Sequence, residues 1–134
     1  MSEEHTLRET GPIALAFVGD SVFDLFIRER IVRSGIGRPK DLQQKASGYA
    51  RAESQAAMIR DLFEELSEEE QDVVRRARNA KVHTMPKHAG VMEYKMATGL
   101  EALIGYLYLS GRNERLGWLL ERCMEVPLGE KENG

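Results

Sequence analysis

The sequence predicts an all-α protein, a single domain of six or seven helices. Three observations lead there. Apolar residues recur at helical spacing along almost the whole chain, and nothing reads as a ladder of strands. Residues that start and stop helices punctuate it: Pro12, Pro39, the Ser67/Glu70 pair and Asn113 as starts, Gly35 and Gly111 as ends. The length, 134 residues, suffices for one hydrophobic core and little more.

Pro12, preceded by Thr10 and Gly11, suits a first helical turn, where its missing N–H costs nothing. The helix it opens reads IALAFVGDSVFDLFIRERIVRS and ends at Gly35. Its apolar residues, Ile13, Phe17, Phe23, Phe26, Ile27 and Ile31 among them, cover more than one narrow stripe, so it should be central. Pro39 opens a second helix, KDLQQKASGYA, weakened near Gly48, and a third is expected over Arg51 to Leu66. Ser67 followed by Glu70 is a capping-box pattern, placing a fourth helix from Glu68 to about Ala80. Lys81 to Met92, with Pro86 and Gly90, reads as a functional loop. A fifth helix, EYKMATGLEALIGYLYLS, closes at Gly111. Asn113 then caps a sixth, ERLGWLLERCMEV, bounded by Pro127. Residues 1–11 are expected to be a flexible start, residues 12–126 the folded domain and residues 127–134 a disordered tail.

Composition excludes several classes. Hydrophobic residues make up 42% and charged residues 31%, as in an ordinary globular protein. No apolar run has transmembrane length and the polar start is no secretory signal, so a cytoplasmic protein without membrane association is expected. The single cysteine, Cys123, lies among Leu119, Leu120 and Met124 and reads as a small buried hydrophobe rather than a nucleophile. The net charge of −3 hides a segregation. Asp61 to Asp72 holds seven acids and no base, whereas Val73 to Met92 holds five bases, two histidines and no acid. A polyanion responds to such a local field more than to net charge, although a charge run can also be nothing more than a solvated helix face.

Two carboxylates stand where a solvated face would not put them. Asp20 lies within VGDSV of the most hydrophobic helix, and Glu101 within GLEALIGYL of the second most hydrophobic. An unpartnered buried carboxylate is costly, so each needs a cation, a cluster of donors or a cleft. Gly19, with Gly99 or Gly105, would let two helices approach and bring the acids together. Hard oxygen ligands from two helices, completed by water and phosphate, describe a Mg²⁺ site suited to phosphodiester hydrolysis. The alternative is a pair of buried structural bridges, Asp20 to an arginine and Glu101 to a lysine. Asp24 has Arg28 one turn on as a ready partner and reads as structural. His83 and His88 lack the spacing of a zinc site, and the Gly35–Gly37 segment is no phosphate loop.

These residues carry a family resemblance. LAFVGDSVFDLFIRE, Leu15 to Glu29, resembles the signature helix of the ribonuclease III domain, usually Leu-Glu-Phe-Leu-Gly-Asp-Ser-Val. TGLEALIGYLYLSG, Thr98 to Gly111, resembles that family's other catalytic helix, and RRARNAKVHTMPKHA, Arg75 to Ala89, the loop of its short subgroup, Mini-ribonuclease III. The similarity runs from about Pro12 to Val126. It departs from the full-length family at two of four acids: Ala16 and Thr98 stand where the family has a glutamate and an aspartate. The subgroup shares this reduced set.

The resemblance implies a ribonuclease III-type helical domain acting as a homodimer, with part of the first helix's apolar surface forming the interface. It implies a Mg²⁺-dependent endoribonuclease, Mn²⁺ able to substitute, with Asp20 and Glu101 as catalytic and metal-binding residues. A metal site with fewer charges should hold its ion more loosely, with more water. Double-stranded RNA is the implied substrate, cut with a stagger to 5′-phosphate and 3′-hydroxyl ends, and the subgroup's association with 23S ribosomal RNA maturation points to that precursor. A ribosomal protein is a further possible partner. No double-stranded RNA-binding domain is expected after Val126, which makes Arg76, Arg78, Asn79, Lys81 and Lys87 the expected RNA contacts. The competing expectation is a non-catalytic ribonuclease III-like module that binds RNA or the ribosome, the reading that the two missing acids favour.

Overall fold

The computed structural model describes residue 7, residues 9–80 and residues 90–127. Among them lie six α-helices and no strand: α1 (Pro12–Arg33), α2 (Pro39–Ala50), α3 (Ala52–Leu62), α4 (Glu68–Arg78), α5 (Val91–Leu109) and α6 (Asn113–Met124). A 3₁₀ turn, Phe63–Glu65, joins α3 to α4. The all-α expectation is thus met.

Helices α1 and α5 form the most extensive contact in the molecule, and α3 and α4 pack on α5. The core is built from Phe23 and Ile27 of α1, Met58, Ile59 and Leu62 of α3, Val74 of α4, Leu100, Leu103, Ile104 and Leu107 of α5 and Leu119 of α6, all essentially inaccessible. Leu7 packs at its margin. Helix α5 is buried around most of its circumference, so its apolar residues occupy every face. Helix α2 is the opposite: no residue of it is fully buried, and it lies as a polar rod against α1.

The helix boundaries follow local chemistry. The Ser67/Glu70 capping box forms as expected: the Glu70 amide donates to Ser67 Oγ at 3.1 Å, and the Ser67 amide to Glu70 Oε1 at 2.8 Å. The third helix is shorter than expected, ending at Leu62. There the Phe63 carbonyl is taken by the Leu66 amide at 3.1 Å and by Gln71 Nε2 at 3.0 Å, which tightens the chain into the 3₁₀ turn. Gly48 does not weaken α2, which continues to Ala50 and stops at the extended Arg51. Val91 and Met92 belong to α5 rather than to the preceding loop, with Gly90 as N-cap. Asn113 is not a cap. The α5–α6 turn closes so tightly (Arg112 N to Leu107 O 3.0 Å, Asn113 N to Gly111 O 2.9 Å) that Arg112 takes the N-cap position and Asn113 is already helical.

The acidic run from Asp61 to Asp72 is held by α6 and its N-cap. Arg122 reaches Asp61 and Glu65 at 2.8 Å, Arg112 reaches Glu69 at 3.1 Å, and Arg115 grips Glu70 at 2.8 Å through both Nε and Nη2. Glu70 is itself buried, 4% exposed, and the Arg115 guanidinium holds its carboxyl below the usual range. Much of the negative charge read as a bare run is therefore internally compensated.

Candidate active site

Where α1 crosses α5, the backbones touch. A β-carbon on Gly19 would lie 1.7 Å from the Glu101 carbonyl oxygen, and one on Gly105 would lie 2.0 Å from the Leu15 carbonyl oxygen. No side chain fits at either place, so glycine on both helices is the condition for the crossing. Of the two alternatives left open by the sequence, Gly105 is the partner of Gly19; Gly99 instead accommodates Val74 of α4.

The crossing brings the two carboxylates together. Glu101 is partly buried on α5, Asp20 is exposed on α1, and their side chains are hydrogen-bonded to each other. Burial, first, and then the negative charge of Asp20 push the Glu101 carboxyl up to about 8. Below that pH it holds a proton on the carboxyl that faces Asp20. Among the described residues no lysine or arginine bridges to either acid, in contrast to Asp24, which pairs with Arg28 at 3.0 Å as expected. The structural-bridge alternative for Asp20 and Glu101 thus finds no cation among those residues.

A third polar group at the site is Gln55 of α3, which sequence reasoning missed. It is 2% exposed, and its side-chain amide lies close enough to the Glu101 carboxylate to oppose part of the rise in its pKa. A signal for it exists: Ala52, Gln55, Ala56, Ile59 and Leu62 follow core-facing helical spacing, with one amide inside an otherwise apolar stripe.

The remaining candidates separate. Thr98 is buried, and its hydroxyl donates to the Tyr94 carbonyl at 2.9 Å, a contact within its own helix. Ala16 is part of the core. Arg76 is exposed near the end of α4, Arg78 Nε donates to Asn79 Oδ1 at 3.2 Å, and Asn79 is the C-cap of α4. Lys81, Lys87, His83 and His88 lie outside the described residues. Cys123 is fully buried and burial pushes its thiol up to about 12, so it packs as a hydrophobe.

No set of three or more metal-ligating residues occurs among the described residues. Two carboxylates nevertheless fit a divalent cation. They are hard oxygen donors on neighbouring backbones, their mutual repulsion is relieved below about pH 8 by a proton that a cation could replace, and Asp20 opens to solvent, where water and a phosphate could complete the shell.

An all-helical domain with a glycine-enabled acid pair at its central crossing is the class that fold and site define. A family model described as "Ribonuclease III domain" matches residues 13–112. The chain is 49% identical over 114 residues to Mini-ribonuclease 3 of Symbiobacterium thermophilum, covering 85% of this chain and 88% of that protein. It is 38% identical over 133 residues to that of Brevibacillus brevis, covering 97% and 99%. In structure it is similar to protein FN1578 from Fusobacterium nucleatum, with a TM-score of 0.80 and 32% identity over 88% of this chain and 94% of that one. The chain belongs to the ribonuclease III family and, within it, groups with the Mini-ribonuclease III proteins.

Proposed function

We propose that this protein is a divalent-metal-dependent endoribonuclease that cleaves double-stranded RNA, with Asp20 and Glu101 as its catalytic, metal-holding carboxylates. The observation that carries the proposal is the meeting of these two acids across the Gly19–Gly105 crossing, with no cation bridging to them among the described residues. Mg²⁺, or Mn²⁺ in its place, would supply Lewis acidity and an ordered water for phosphodiester hydrolysis when bound. Asp20 and Glu101 would hold it, and Glu101 gives up its proton in doing so. With two protein carboxylates instead of four, water and substrate phosphate would have to complete the shell, and affinity in the absence of RNA would be low.

Helix α1 exposes Ile13, Phe17, Leu25 and Val32, Phe17 at 81% and Leu25 at 68%. At 3.6 residues per turn these share one side of the helix, with Asp20 at its margin. Such a face supports a homodimer in which two sites flank one RNA groove. Arg76, Arg78 and Asn79 at the end of α4, with Lys81 and Lys87 beyond it, would contact phosphates or 2′-hydroxyls. The products would be 5′-phosphate and 3′-hydroxyl ends and the substrate a 23S ribosomal RNA precursor in the cytoplasm, on its own or presented by a ribosomal protein. The family resemblance supports these last points.

Incubating the protein with a long RNA duplex and Mg²⁺ tests the reading. Cleavage should stop with EDTA and in Asp20→Asn and Glu101→Gln, and binding should weaken steeply with salt because phosphates dominate the contact. Cleavage that survives either substitution would refute the site. Binding without cleavage by the wild type would favour a non-cutting module instead, the reading to which Ala16 and Thr98 lend weight.

A further inference from the structure

Outside the two acids, the polar group that the core accommodates with least apparent reason is the Gln55 side chain. Core positions of α3 are otherwise filled by Ala56, Met58, Ile59 and Leu62, and burying an amide among them is unfavourable unless its hydrogen bonds are made. Its neighbour Ser54, also buried, is accounted for: its hydroxyl donates to the Gly48 carbonyl at 2.7 Å, fastening the start of α3 to the end of α2. That bond and the packing of α3 along α5 fix where the Gln55 amide sits. The ionisable side chain that this amide lies against is the Glu101 carboxylate, on the helix that α3 packs along.

We infer that Gln55 is a positioning residue: its amide N–H takes one lone pair of the Glu101 carboxylate and orients the rest toward Asp20 and the ion that the pair holds. The inference rests on the proposed metal-holding role of Asp20 and Glu101 and deepens it. A glutamate side chain has three rotatable bonds, and in a site of only two carboxylates a misdirected one loses half the protein's ligands. An outer hydrogen bond that fixes a ligand's orientation is worth roughly 10–100-fold in metal affinity. The site would then consist of two ligands from α1 and α5 and one orienting group from α3, so that three helices converge on it.

The test is Mn²⁺ affinity measured by electron paramagnetic resonance on the RNA-free protein, for wild type, Glu101→Gln, Gln55→Met and Gln55→Asn. Met keeps the length and loses the amide; Asn keeps the amide and shortens its reach. Expected is a loss of roughly 10–100-fold in Mn²⁺ affinity for both Gln55 variants with helical content retained. Cleavage by them should recover as Mg²⁺ is raised, because the catalytic acids remain in place. Affinity within twofold of wild type in either folded variant would overturn the inference, as would loss of folding in both, which would make Gln55 a core residue and nothing more. If Glu101→Gln also left Mn²⁺ binding unchanged, the failure would belong to the proposed metal site and not to Gln55 alone.

Discussion

Glu70 and Glu101 are both glutamates withdrawn from water on helices of one small domain, and the molecule treats them in opposite ways. Glu70 is clamped by two nitrogens of Arg115 and closes the capping box of α4, so its charged form is favoured. Glu101 meets another acid and one amide, and its charged form is disfavoured until about pH 8. A carboxylate that folding satisfies is part of the architecture. One that folding brings against a like charge is waiting for something outside the chain to satisfy it. The α4–α6 seam is the first kind of region and the α1–α5 crossing the second.

The contrast breaks first under substitution of the acids themselves. Asp20→Asn and Glu101→Gln should lower cleavage by roughly 10³-fold or more while leaving the metal-free thermal midpoint at pH 8.5 equal or higher, since Glu101 has lost its proton there and each substitution relieves repulsion. A fall in both activity and midpoint would place the pair in the architecture. The next largest effect is expected at the crossing. Gly19→Ala must drive the two backbones apart, because the clash is with a carbonyl rather than a movable side chain. It should destabilise by about 3 kcal/mol or more, read from urea unfolding. Glu70→Ala should cost about 1–3 kcal/mol through the lost cap and the stranded Arg115, with cleavage per folded molecule unchanged. Loss of cleavage there without loss of stability would erase the distinction between the two regions.

The smallest effect is in pH. The folded pKa of Glu101 stands above its unfolded value, so the folded chain binds the extra proton between roughly pH 4.5 and 8. Without metal, the contribution of Glu101 to stability is therefore greatest below that range and declines as pH rises through it. Glu101→Gln should remove this slope, and saturating Mn²⁺ should reduce it, because the ion replaces the proton. Thermal melts from pH 5 to 9 would show it, and an unchanged slope in the variant would assign the pH dependence elsewhere.

Much of this could be read from residues in order. Periodicity located the six helices between Pro12 and Met124 among the described residues, and Ser67 with Glu70 marked the start of α4, because those signals are local. Asp20 and Glu101 stood out because a charge inside an apolar helix violates its own neighbourhood. What escaped was non-local. The choice of Gly105 over Gly99 depends on which face of α5 meets α1 and which meets α4. The neutralisation of the acidic run depends on α6 and its N-cap, whose arginines lie some 43 to 61 residues further along. Gln55 escaped because a glutamine violates a core stripe less loudly than a carboxylate does. The end of α3 was misjudged because side-chain capture of the Phe63 carbonyl by Gln71 leaves no periodic trace.

Whether the crossing of α1 and α5 is built to hold a divalent cation is decided by Mn²⁺ binding at pH 8.5 to wild type and Glu101→Gln without RNA. Weak but saturable binding by the wild type, lost in the variant, is expected. Equal binding by both, or none by either at millimolar Mn²⁺, would contradict it.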